Sequence, residues 1–323
     1  MSPAMAYKDA SAKLDPNSVH TRPPPKVPCF DASAASCDEI VEGLILSGGC
    51  IVRGMVSQED LNQIEKDTRP FIQKDKPWTL DDFFPPETRR VTGLFEKSRT
   101  FIERIPGNKL YQDVCNVLLT DVLPGYCGQK LENFMSRPQL NTNVIFSIGP
   151  GAKAQDLHRD DSMHHNRTDE ITVDEYKIGR DTGLGCFVAG KKTTRANGAT
   201  RFVPGSHLWS HLTPPPGEDH AYYAELEPGD AFWMLSSSYH GGSANNTSDE
   251  ERLVYACFMT KGYLRQEENQ YLTTSLDVMR TYPLEIMRMA GYQASLPYLG
   301  WVNLEDPIRV LVDESVTGKL ALQ

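Results

Sequence analysis

Beyond residue 130 the chain carries short β-type segments: Asn143 to Ile148, Leu184 to Ala189, Ala199 to Val203, Ala231 to Leu235 and Leu253 to Thr260. Gly, Pro and Asn punctuate them. Strands interrupted this regularly are the pattern of an all-β sandwich or barrel. In the last segment Leu253, Tyr255 and Cys257 alternate with Val254, Ala256 and Phe258, so it reads as a strand buried on both faces.

Helical periodicity flanks this core. Ile40, Val41, Leu44 and Ile45 recur at helical spacing from Cys37 to Leu46, with Gly48-Gly49 as the stop and a short strand through Ile51-Val52 next. Ser57 with Asp60 resembles a capping box, and Leu61, Ile64, Phe71 and Ile72 mark a second helix that Pro70 is expected to bend or end. A third helix is expected from Leu110 to Leu123, with Val114, Val117, Leu118 and Val122 as its apolar stripe and Pro124-Gly125 closing it. Beyond Thr260 helical spacing returns at Leu272, Leu276 and Met279, then at Leu284 and Met287. Residues 1–32 are Pro-rich and aperiodic, an expected flexible arm. The expected fold is mainly β with flanking helices. It forms one domain over residues 33–323 whose β-core occupies about 130–262.

A net charge of −10, from 33 basic and 43 acidic residues, argues against nucleic acid or an anionic membrane as a partner. No apolar run approaches the roughly 18 residues that span a bilayer, and the N-terminus lacks a secretory apolar core. A cytoplasmic location is expected. Lys13-Leu14 and His20 imitate part of a peroxisomal address, but Thr21 and the surrounding prolines favour a plain leader. Seven cysteines without a C-x-x-C pair read as reduced thiols, not as a disulfide framework or a thiolate zinc site.

His158-Arg159-Asp160 is the first chemically informative cluster. Side chains two residues apart on an extended segment point to the same face, so an imidazole and a carboxylate can converge on one ion. Alone, an H-x-D is as readily a surface His beside a solvated Asp. The case strengthens at Tyr239-His240-Gly241-Gly242, where a histidine follows a strand and could return a third ligand. Two histidines and a carboxylate are the facial ligand set of non-haem iron(II) oxygenases. The competing histidines fit less well. His164 and His165 are adjacent, His207 lies in the turn Pro204-Gly205-Ser206-His207, and His211 and His220 flank a proline run.

These residues resemble the phytanoyl-CoA dioxygenase family, and more narrowly its fungal members that tailor secondary metabolites. The resemblance rests on Gln155-Asp156-Leu157-His158-Arg159-Asp160-Asp161, on Asn197 to His207, on Pro228-Gly229-Asp230, and on His240-Gly241-Gly242 followed by Arg252. It covers roughly residues 130 to 270. It implies a double-stranded β-helix, a cupin-like jelly roll, with iron(II) held by His158, Asp160 and His240 near one open end. It also implies 2-oxoglutarate and O2 as co-substrates, ascorbate as a supportive reductant, and Arg252 gripping the far carboxylate of 2-oxoglutarate. Independently, a guanidinium can hold a carboxylate through two parallel charge-assisted hydrogen bonds. The competing role for Arg252 is a surface salt bridge with Asp249, Glu250 or Glu251. Gln155 and Thr200 match positions that hydrogen-bond the co-substrate, although Thr200 equally suits its strand as a β-branched residue. Asp160 disfavours halogenation, since halogenating relatives carry a small residue there, and Asp161 is expected to point the opposite way as a supporting acceptor.

The resemblance further implies oxidation of an unactivated C–H bond by hydroxylation, desaturation, rearrangement or endoperoxidation. The expected partner is a hydrophobic, polycyclic small molecule such as a terpenoid, meroterpenoid or alkaloid, in a homodimer. Trp78 to Leu94 and the C-terminal helices are candidate pocket elements. An acyl-CoA hydroxylase is the rival, with Arg89-Arg90 and Lys191-Lys192 as cations for the CoA phosphates. Two rivals from different classes are a zinc hydrolase and a catalytically silent jelly-roll binding protein.

Overall fold

The computed structural model describes residues 23–77, 85–217 and 220–313. The peroxisome-like stretch 13–21 and the part of the pocket candidate at 78–84 lie outside them. Two sheets and a hairpin carry the fold. The strands are β1 (Cys29–Asp31), β2 (Gly49–Arg53), β3 (Thr88–Val91), β4 (Asp121–Cys127), β5 (Lys130–Ser136), β6 (Gln139–Ile148), β7 (Gly183–Ala189), β8 (Thr200–Phe202), β9 (Tyr222–Ala224), β10 (Ala231–Leu235), β11 (His240–Gly242) and β12 (Arg252–Thr260). The large sheet runs β1-β2-β10-β7-β12-β6-β3, the small one β11-β8-β9, and β4-β5 stand apart. All pairs are antiparallel except β1 with β2. Of the expected arm, Cys29–Asp31 thus joins the sheet edge.

Period-two alternation gives the large sheet two apolar faces. Leu184, Cys186, Trp233, Leu235, Leu253, Tyr255 and Cys257 pack under the helices, whereas Phe187, Ala189, Phe232, Met234, Val254 and Ala256 meet Phe202 and Ala224 of the small sheet. Trp233 and Tyr255 are fully enclosed, and burying a side chain of that size contributes about 1.5–3 kcal/mol or more. The helices on the first face are α1 (Cys37–Ser47), α2 (Gln58–Lys74), α3 (Arg99–Arg104) and α4 (Lys109–Leu119). After the core come α5 (Gln270–Thr273), α6 (Leu276–Met279) and α7 (Leu284–Met289).

Helix α1 has the expected stop, with Gly48 left-handed at its C-cap, and Ser57 caps α2 by accepting from the Asp60 N–H. One expected alternative and one expected boundary fail. Pro70 does not end α2, which continues to Lys74; Pro70 and Lys66 face solvent, where water can satisfy the carbonyl that loses its helical donor. The third helix stops at Leu119 instead of Leu123. Val122 and Leu123 enter the β4-β5 hairpin, where they are exposed, and Val117 is also partly exposed. Apolar residues at helical spacing there serve a hairpin, not a helical stripe. Four of the seven cysteines are buried, and all are free thiols.

The turn before β10 ties that strand to the segment that follows its neighbour β2. The Asp230 carboxylate accepts from the Gly54 N–H at 2.9 Å and from Arg53 at 2.6 Å, while Val56 N–H donates to the Gly229 carbonyl. Gly229 adopts φ +88°, and a Cβ there would lie 2.2 Å from the Val56 carbonyl oxygen. Gly229→Ala is therefore expected to cost about 2–3 kcal/mol, more than an open left-handed position, read as a lowered midpoint in chemical denaturation.

Candidate functional site

The segment around His158 is extended through Arg159 (φ −121°, ψ 130°), and Asp160 then opens a single 3-10 turn, Asp160–His164. The expectation of a strand carrying both ligands is thus met only as far as Arg159. Convergence comes from tertiary contact. His158 and His240 form an antiparallel bridge, each N–H donating to the other's carbonyl at 2.9 Å. Their rings stand 4.4 Å apart. Asp160 Oδ1 lies 3.6 Å from His158 Nε2 and Asp160 Oδ2 lies 3.5 Å from His240 Nε2. One ligand atom from each of the three residues lies within 4.8 Å of the others, a set that could hold a metal ion.

The imidazole tautomers are fixed from behind. His158 Nδ1 is 2.8 Å from the Asp156 carbonyl and His240 Nδ1 is 3.2 Å from that of Ser238. A carbonyl accepts only, so Nδ1 carries the proton in both rings and the Nε2 lone pairs face the shared centre. Burial holds His240 below the usual histidine range and so favours its neutral, ligating form. Arg159 turns away, donating to the Ser206 and Ser210 carbonyls and stacking on Tyr239. Asp161 is buried and accepts from Asn166; burial pushes its carboxyl up to about 6.

The triad opens into a cavity of about 190 Å³. Thr142, Val144, Phe146 and Ile148 of β6 line it along one side, with Arg252, Val254 and Phe258 of β12 facing them across the ladder. Gln155 and Thr200 line it too. Arg252 is 5% exposed and donates to the Thr200 hydroxyl at 2.7 Å, and its buried Nε has no hydrogen-bond partner. Burial pulls its guanidinium down to about 10. No acidic neighbour forms the alternative salt bridge: Asp249 accepts from Ser248, Glu250 accepts from Asn197, and Glu251 accepts from Arg69 and Lys191 at 2.6 Å each and from Ser147. A cation enclosed with one neutral hydroxyl is costly unless an anion joins it. Gly242 leaves room for one, because a Cβ there would stand 3.1 Å from Gln155 Oε1 and 3.8 Å from Arg252 Nη1. The donor set thus fits a carboxylate co-substrate beside a metal.

Other histidines stay outside. His207 is buried and bonds the Ile45 carbonyl at 2.8 Å, held down to about 4 by burial, and His211 bonds the Thr168 carbonyl. Sequence reasoning missed Met163, Phe187 and Glu267 in the cavity wall. Phe187 alternates with core residues of β7 and was legible in principle; Glu267 lies in a loop and carries no periodic signal.

Two histidines and one carboxylate at the mouth of an antiparallel β-core, beside a buried arginine, define a mononuclear metal oxygenase site. A family model described as phytanoyl-CoA dioxygenase matches residues 46–254. Dioxygenase peniF of Penicillium patulum is 43% identical over 280 residues, covering 87% of this chain and 90% of its own length. Dioxygenase himG of Aspergillus japonicus is 40% identical over 290 residues, covering 87% and 89%. The crystal structure of the non-haem α-ketoglutarate-dependent epimerase SnoN from nogalamycin biosynthesis shares the fold at a TM-score of 0.51, with 17% identity over 73% of this chain and 88% of that one. The chain belongs to the phytanoyl-CoA dioxygenase family. It is an enzyme, a dioxygenase with a jelly-roll core.

Glu251, the acidic neighbour of Arg252 in sequence, is held by other partners. Burial alone would raise its carboxyl, but hydrogen bonds from Arg69, Lys191 and Ser147 outweigh this and hold it at about 2. A carboxyl depressed in the folded state stabilises the fold above its unfolded value near 4.5 and loses that contribution as pH falls toward 2. Glu251→Gln is expected to be less stable than wild type at pH 7, with the two variants converging as pH falls from about 5 to 2, measured by denaturant titration at each pH.

Proposed function

We propose that His158, Asp160 and His240 hold iron(II), that Arg252 with Thr200 holds the far carboxylate of 2-oxoglutarate, and that the enzyme oxidises an unactivated C–H bond of a hydrophobic, polycyclic secondary metabolite. The observation that carries this reading is the buried, acid-free Arg252 in the same cavity as the triad. A zinc hydrolase would have no use for it.

When bound, iron(II) and 2-oxoglutarate supply O2-driven oxidation of the C–H bond, with succinate and CO2 as co-products. The chain's own residues do the rest. His158 and His240 keep their Nε2 atoms deprotonated through Nδ1 bonds to backbone carbonyls, and Asp160 adds the negative charge. Gln155 accepts from the Gly242 N–H at 3.0 Å, which fixes its amide at the cavity edge for the co-substrate. Val144, Phe146, Phe187, Val254 and Phe258 exclude water and give an apolar substrate its surface. Three of the four cations that would serve CoA phosphates are paired with acids, Lys191 with Glu251, Lys192 with Glu227 and Arg90 with Asp75, and Arg89 donates to the Pro86 carbonyl. This favours a metabolite without the nucleotide. Among the described residues no helix is long and apolar enough to cross a membrane.

Residues 33–323 act as one catalytic domain in this reading, supported by β2 and β3 completing the same sheet as β6 and β12. The protein also acts as a homodimer in it. Exposed Leu123, Tyr126 and Leu131 of the hairpin and Tyr298, Leu299 and Leu304 of the C-terminal segment support that state, the two regions touching where Leu296 N–H donates to the Met135 carbonyl.

Anaerobic titration with iron(II) and 2-oxoglutarate is expected to produce the weak visible charge-transfer band of the chelate in wild type. His240→Ala should abolish it, and Arg252→Met should require about ten-fold or more 2-oxoglutarate, as befits loss of a charge-assisted bidentate contact. An undiminished band in either variant refutes the corresponding role. Light scattering should give twice the 36.2 kDa chain mass; a monomer refutes the dimer.

A further inference from the structure

The cavity is electrically two-ended. On β12, Arg252 pairs with Ile148 and Phe258 pairs with Thr142, and the strand between Thr142 and Ile148 spans about 20 Å. Arg252 therefore marks one end. At the other, Glu267 lines the same cavity, anchored by its backbone N–H donating to Asn141 Oδ1 at 2.9 Å. Its carboxylate accepts from Asn141 Nδ2 at 3.3 Å. Among the described residues no lysine, arginine or histidine forms an ion pair with it. Lys153 lines the cavity too, without bonding Glu267.

Neither 2-oxoglutarate nor the fold explains this acid. The diacid is too short to reach from Arg252, and like charge would repel it from Glu267. A structural carboxylate would be expected in an ion pair, as Glu251 is with Arg69 and Lys191. Glu267 is exposed to solvent at the rim of the open cavity, with protein packed around part of its side chain. Partial desolvation there, reinforced by Asp160 and Glu268, pushes its carboxyl up to about 7. Surroundings that penalise a lone carboxylate favour one with a cation beside it. Met163, Phe187 and Phe258 supply the apolar wall close to this end.

We propose that Glu267 is a specificity-determining residue that receives a basic, protonated nitrogen on an otherwise apolar substrate, so that the substrate class is a polycyclic amine. This rests on the reading of the cavity as the substrate site of the oxygenase and narrows it. The amine seated at Glu267 leaves the apolar body along Phe187 and Phe258, toward the triad.

Three probes of one shape separate charge from size: 1-adamantanamine, 1-adamantanol and 1-adamantanecarboxylate. Their affinities for the anaerobic enzyme loaded with iron(II) and 2-oxoglutarate are measured by calorimetry. Wild type is expected to bind the amine about ten-fold or more tightly than the alcohol, with the carboxylate weakest. Glu267→Gln, which preserves size and the Asn141 contacts, should bind amine and alcohol alike. Equal affinities in wild type, no measurable amine binding, or a preference that survives in Glu267→Gln would each overturn the proposal. Affinity for 2-oxoglutarate on the same preparations should not change in Glu267→Gln. Failure at Glu267 is thereby distinguishable from failure of the co-substrate reading, which would appear as absent 2-oxoglutarate binding in wild type.

Discussion

The site depends on a division of charge at the start of β12. Glu251 and Arg252 are neighbours in sequence with opposite charge, and in water they would neutralise each other at little gain. The strand prevents this by sending them to opposite faces. Arg69, Lys191 and Ser147 capture the glutamate outside the sheet, and the arginine is left in the cavity with a threonine hydroxyl. The cost of enclosing that cation is borne by the rest of the fold. Its counterpart is the preorganised space around Gly242, where no side chain fills the gap between Gln155 and Arg252.

The same alternation organises everything above it. One face of the large sheet buries Trp233, Tyr255 and Leu253 under the helices, and the other presents Val254 and Phe187 to the cavity and the small sheet. A β-core covered on one side only by helices leaves its other side free to hold chemistry. The candidate metal ligands sit where the small sheet meets the loop leading into the 3-10 turn, pinned by the reciprocal hydrogen bonds of His158 and His240. Rigid backbone pairing, not side-chain packing, sets their spacing. That is suited to a site whose ligands must keep their geometry while the other coordination positions exchange.

Much of this is legible in the chain because it repeats locally. The strands Ala231–Leu235 and Arg252–Thr260 announce themselves by composition and alternation, and α1 by its spacing and its glycine stop. Elements without enough residues to show a period are not visible: β9 and β11 have three residues each, and their pairing with β8 is purely tertiary. The end of α4 misleads because Val122 and Leu123 satisfy a helical stripe and a hairpin equally well until the partner strand is known.

The sequence by itself determined the class of fold and the residues from which the site is built, since alternation and the ordered motifs around His158, His240 and Arg252 are properties of the chain. Only the tertiary structure decided which candidates meet. It brought the imidazoles of 158 and 240 to 4.4 Å, turned Glu251 outward, and set Glu267 at the far end of the cavity from Arg252. The physical reason is that hydrogen-bond pairing between distant strands, and the desolvation that accompanies it, has no signature in local spacing.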